Sequence, residues 1–79
     1  MKQTVIDAKK DCRGVGCPMN LVYLKVELAK LNSGQVLEIV LDDGAPVRNV
    51  PASAQKEGHK VLEQTKLNDG AWSVLIAKA

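Results

Sequence analysis

The stretch PMNLVYLKVELAKLNSGQVLEIVL, residues 18–41, joins a helix pattern to a strand pattern through one glycine turn. Its first part places Leu21, Leu24, Leu28 and Leu31 at steps of three and four, an apolar stripe along one helix face. Lys25, Glu27 and Lys30 fall off that stripe. Pro18 suits the first helical turn, where its missing N–H has no intrahelical partner to lose. Asn32-Ser33-Gly34 ends the helix, with Gly34 expected as a left-handed cap. Residues 35–41, apolar around a lone Glu38, have the pattern of a central strand.

Upstream, the β-branched run Thr4-Val5-Ile6 predicts a first strand over residues 3–8. Downstream, Asp42-Asp43-Gly44 breaks the central strand, and the two aspartates are expected to cap the turn into the next helical segment. A docking role for them with Arg48 is the lesser alternative. Pro51 interrupts any helix begun at Val47, which predicts a short turn over 47–50 and then a helix over 51–57 ended by Gly58. Residues 59–67 form a third strand with polar Glu63 and Gln64 at its middle. Asn68-Asp69-Gly70 signals a hairpin, and Trp72, Val74 and Ile76 alternate in a fourth strand over 71–78. The order β-α-β-α-β-β buries its apolar surface most simply as an α/β (α+β) two-layer sandwich: a mixed four-stranded sheet with two helices on one face. Residues 1–79 are expected to form a single domain.

Composition narrows the function classes. The chain is 46% hydrophobic and 25% charged, with one Trp, one Tyr and no Phe, so the core must be aliphatic. A net charge of +2, spread along the chain, and the shortage of stacking rings argue against direct nucleic-acid binding. No apolar run approaches the roughly 18 residues of a membrane span, and residues 1–10 lack the apolar core of a signal peptide. A cytoplasmic location is the expectation, and in that setting the two cysteines are thiols rather than a structural disulfide. A metal site needs three or four ligands; Cys12, Cys17, His59 and a carboxylate lack the paired spacing for one, so neither metal nor other cofactor is expected. His59, after a glycine at a strand start, reads as structural or surface-exposed.

The reactive candidate is Cys17, at or just before the start of the first helix. Unpaired N–H groups and the helix dipole favour an anion there, lowering a thiol from its free value of about 8.5. Arg13 in the same loop is expected to reinforce the effect, and Gly14 and Gly16 keep the approach to the sulfur open. Cys12, five positions upstream, reads first as a small side chain packed at the strand end; the alternative is a resolving thiol for Cys17. Met19, Leu21 and Tyr23 near the helix start are candidates for an apolar docking patch, though core packing explains Leu21 equally well.

Asp11-Cys12-Arg13-Gly14-Val15-Gly16-Cys17-Pro18 resembles the D-x-R-G-x-x-C-P signature of the TusA/SirA-like sulfur-carrier (sulfurtransferase) family. The resemblance continues through the strand ending in paired aspartates at Asp42-Asp43, through Asn49-Val50-Pro51 and Gly58-His59, and into the terminal strand. It implies a two-layer protein that takes sulfur as a persulfide on Cys17 from a donor such as a cysteine desulfurase and relays it to an acceptor protein. The family usually reads C-P-x-P, whereas this chain has Cys17-Pro18-Met19-Asn20, and the Asn20 amide is expected to add a hydrogen bond near the sulfur. The competing function is a non-catalytic redox-sensing or regulatory module that docks on a partner with the same fold.

Overall fold

The computed structural model describes residues 5–16 and 18–79. Its elements are β1 (Ala8–Asp11), α1 (Met19–Ala29), β2 (Val36–Leu41), α2 (Ala45–Lys56), β3 (Lys60–Lys66) and β4 (Trp72–Ala77). The strands lie in the order β1-β2-β4-β3. β1 runs parallel to β2, and β4 is antiparallel to both β2 and β3. Leu37, Ile39 and Leu41 of β2 and Val74 and Ile76 of β4 point to one side. There they meet Leu24 and Leu28 of α1, Leu31 beyond it, and Val50 and Ala54 of α2 in a single aliphatic core. Both helices thus cover one face of a mixed sheet, the expected sandwich.

Four local expectations are corrected. The first strand occupies Ala8–Asp11, whereas residues 3 and 4 of the expected 3–8 strand lie outside the described residues and Val5 is 73% exposed. For Val5 and Ile6, pairing with β2 further along the chain outweighs the β-branched preference. The Asp7 N–H donates to the Val36 carbonyl, and the Val36 N–H donates to Asp7 Oδ2 at 2.9 Å. Register is fixed from that point, with Ala8 opposite Leu37 and Asp11 opposite Val40.

The helix begins at Met19 with Pro18 as its cap residue, so the proline precedes the first turn instead of occupying it. The helix also ends early, at Ala29, where the Lys30 N–H bonds back to the Glu27 carbonyl and the Leu31 N–H to that of Leu28. Gly34 has a positive φ of 87°, but it serves a separate turn in which the Gln35 N–H reaches the Asn32 carbonyl. The buried face of α1 is Asn20, Leu24 and Leu28, with Leu21 rotated to its half-buried flank.

The second helix is continuous through Pro51. A proline at that position cannot donate to the Val47 carbonyl, yet Val50, Pro51 and Ala54 are all buried against the sheet, and that burial holds the helix across the missing bond. The Asn68-Asp69-Gly70 turn does join β3 to β4: the Leu67 N–H donates to the Ala71 carbonyl and the Gly70 N–H to that of Leu67. Among the described residues, no helix is long and apolar enough to cross a membrane.

Candidate functional site

The loop between β1 and α1 grows directly out of the ladder. After Asp11, the Cys12 N–H continues the pairing by donating to the Val40 carbonyl at 2.8 Å. The Cys12 carbonyl then accepts the Val15 N–H at 3.1 Å, closing a turn over Arg13 and Gly14. Gly14 takes a φ of +75°, a conformation that a side chain would strain. A side chain at either Gly14 or Gly16 would meet nothing within 4 Å, so the surface over this loop is open. The helix is entered when the Asn20 N–H donates to the Gly16 carbonyl at 3.1 Å and the Leu21 N–H to that of Pro18 at 3.0 Å. Cys17, the sulfur-bearing candidate, lies outside the described residues. Its chain neighbours Gly16 and Pro18 are both exposed.

Three carboxylates moor the loop to three places in the sheet. Arg13 donates through Nε and Nη2 to Asp11 at the end of β1, at 3.0 and 2.8 Å, and through Nη1 to Asp69 in the β3–β4 turn. Asp42, just past β2, accepts the Gly14 N–H at 2.8 Å. Hydrogen bonds from the Arg13 side chain and then its backbone N–H hold the Asp11 carboxyl at about 2. Asp69 is also lowered, first by the Ala71 N–H and then by Arg13. The guanidinium itself is pushed up by both partners. Its charge is therefore answered by two carboxylates.

The paired aspartates do not cap the second helix. Gly44 is the cap residue of α2, and no side chain caps it by a hydrogen bond. Asp42 instead secures the glycine loop. Asp43 accepts the Trp72 indole N–H at 2.9 Å, and that bond, ahead of the Gly44 N–H, holds its carboxyl below the usual range. The moorings of Gly14 to Asp42 and Arg13 to Asp69 escaped the sequence reading. Each joins residues 28 and 56 positions apart, respectively, where no periodicity connects them.

Cys12 is fully buried in the aliphatic core, and burial pushes its thiol up. It packs as the small side chain expected at the strand end, in a setting unsuited to attack on another sulfur. Asn20 is 2% exposed on the core-facing stripe of α1. Its Oδ1 has no hydrogen-bond partner among the described residues, an arrangement that costs roughly 1–3 kcal/mol when left unanswered. Met19 is exposed while Leu21 and Tyr23 are half-buried against the core. The exposed apolar line on α1 runs instead through Met19, Val22 and Val26, which are 47, 44 and 46% exposed. His59 accepts the Ala79 N–H on Nδ1 at 3.0 Å. It precedes Lys60, which pairs with Ala77 and, through that residue, lies level with Val36 at the start of β2. The cysteine loop leaves the opposite end of the sheet.

The chain is similar to several known proteins. The family model described as "Sulfurtransferase TusA" matches residues 8–78. A putative sulfur carrier protein of Archaeoglobus fulgidus is 40% identical over 68 residues, covering 86% of this chain and 77% of that protein. The sulfur carrier protein TusA of Allochromatium vinosum is 32% identical over 73 residues, covering 92% and 95%. Among solved structures, a SirA-like protein from Desulfitobacterium hafniense superposes with a TM-score of 0.78 at 25% identity, over 89% of this chain and 95% of that one.

Proposed function

The chain belongs to the TusA sulfurtransferase family of sulfur carriers, and from that premise we propose that its sulfur travels as a persulfide on Cys17. The observation that carries this reading is the moored, open glycine loop that leads into the start of α1. A thiolate is favoured in a cysteine that immediately precedes a helix, and an open loop leaves room for a partner protein to approach.

In loading, the Cys17 thiolate attacks the outer sulfur of a donor's persulfide. The new S–S bond forms as the donor's own S–S bond breaks, and the donor leaves as a thiolate. Delivery is the same exchange in reverse, with an acceptor protein's thiolate attacking the outer sulfur on Cys17. Sulfur changes hands without a net oxidant, so the carrier needs only an accessible thiol and partner proteins that bring their own. Arg13, Gly14 and Gly16 shape and hold the loop, while Pro18 fixes the entry into α1. A reducing compartment such as the cytoplasm suits a working free thiol.

The test uses a convenient cleavage. Trypsin cuts after Arg13 and separates Cys12, in the peptide 11–13, from Cys17, in the peptide 14–25. Incubation with a persulfide donor is expected to add one sulfur, about 32 Da, to peptide 14–25 and nothing to peptide 11–13. Cys17→Ser is expected to abolish the adduct; an adduct that survives this change, or never forms in the unaltered chain, defeats the reading.

A further inference from the structure

The first helix carries two apolar stripes, and the sheet covers only one. Leu24 and Leu28 of the inner stripe pack into the core. On the opposite side, Met19, Val22, Val26 and Ala29 are all exposed. Their spacing of three, four and three residues is that of a coiled-coil seam, where apolar side chains insert between those of a facing helix. A helix apolar on two sides has the pattern of an element packed on both. We propose that this outer seam docks an amphipathic helix of another protein, one with apolar seam residues and carboxylates along its flanks.

The flanks of the seam select the occupant. With Met19 and Val26 at the first position of a heptad and Val22 and Ala29 at the fourth, Lys25 and Lys30 fall at the positions that border the seam. Carboxylates on the facing helix complement both. In a second copy of this chain the same positions carry the same lysines, so two α1 helices would set like charges along their border.

The rest of the helix layer has the same sign. Its two carboxylates are already engaged, Glu57 with Lys25 and Glu27 with Lys30, each at 3.3 Å. Exposed ion pairs of this kind are worth little, so the lysines can turn to carboxylates of a docked helix. On α2, Arg48 and Lys56 are exposed, and among the described residues neither is in an ion pair. The seam lacks the Trp, Phe and Leu with which a helix lies on a membrane surface. A protein held by this seam is anchored two residues along the chain from Cys17, yet the docking itself requires no sulfur and does not rest on the persulfide.

The experiment uses the full chain as Cys17→Ser, so that docking is read apart from sulfur chemistry. The probe is a dye-labelled synthetic peptide of three heptads, with leucine in its seam and glutamate on its flanks; a second peptide carries lysine on the flanks. Fluorescence anisotropy measures binding, and amide chemical shifts locate it. The acidic peptide is expected to shift the amides of α1 and to bind more weakly as salt rises, with the basic peptide at least about tenfold weaker. Val22→Glu and Val26→Glu are each expected to weaken the acidic peptide about tenfold. Lys25→Glu combined with Lys30→Glu is expected to transfer the preference to the basic peptide. Should a glutamate variant of either valine fail to fold by circular dichroism, Val22→Gln or Val26→Gln is measured in its place. An acidic peptide that leaves α1 unshifted, or binds the valine variants as tightly as the parent, overturns the proposal. So does a dimer in sedimentation that Val26→Glu dissolves, which gives the seam to a second copy. Pelleting with phosphatidylserine vesicles that Val26→Glu abolishes overturns it in favour of a lipid surface. None of these results alters the adduct on peptide 14–25, by which the persulfide reading stands or falls separately.

Discussion

Asp11, Arg13 and Asp69 form a run of alternating charge on the surface beside the cysteine loop, and its energetics can be read through pH. An aspartate in the unfolded chain titrates near 3.9, whereas Asp11 in the fold is held at about 2 by the Arg13 hydrogen bonds. A lowered carboxyl contributes stability that is complete above the unfolded value and is lost as pH falls toward the folded one. Asp43 and Asp69 are shifted in the same direction. The urea midpoint is therefore expected to hold steady down to about pH 4 and to drop between there and about pH 2. The drop should be shallower in Asp11→Asn and weaker in high salt, since these groups are exposed. A midpoint indifferent to acid would contradict the mooring. Cys12 gives the complementary case, a titratable group whose burial opposes ionisation. Iodoacetamide is expected to label peptide 11–13 only as fast as the protein opens, and rapid labelling in the native state would show the thiol to be accessible.

The first helix shows what the sequence could and could not specify at the level of elements. Its leucines at steps of three and four located the helix, and Leu24 and Leu28 are indeed core residues. Rotation about the axis was harder to read, because Val22 and Val26 are as apolar as the leucines and repeat with nearly the same step. The structure turns them outward and Asn20 inward, so the polar residue and the exposed valines both break the simple pattern. Leu28→Ala is expected to cost about 2–5 kcal/mol in urea unfolding, while Val26→Ala should stay within about 0.5 kcal/mol. Equal losses would mean the helix faces the other way. The second helix, expected over 51–57, begins earlier, at Ala45, for a different reason. Pro51 is a strong local stop signal, and only burial of Val50, Pro51 and Ala54 against the sheet overrides it. The displaced first strand has a similar cause, since its partner β2, and not its own side chains, selects Ala8–Asp11.

For the molecule as a whole, the loop that leads to Cys17 is held by contacts distant in sequence, so its order depends on the completed sheet. The Asp42 link joins it to the end of β2, and the Arg13–Asp69 link joins it to the β3–β4 hairpin. Both lie beyond what local patterning can show, which is why the glycine loop was legible as a loop and its moorings were not. If they act as tethers and not as part of the fold's foundation, they can be cut without melting the sheet. The aliphatic core needs neither, because Leu37, Ile39, Val74 and Ile76 pack with both helices on their own account. Hydrogen exchange can separate the two levels of stability. Asp42→Ala is expected to release the Gly14 amide, and Arg13→Ala to loosen the Val15 amide whose bond to Cys12 closes the turn. The double variant should expose both amides further than either single change. Ile39 and Val74, paired across the central strands, should keep their protection in all three. Loop amides that exchange at the same rate in every variant would remove the tethers from the account. Loss of protection at Ile39 and Val74 together with the loop would instead show that the moorings support the sheet itself.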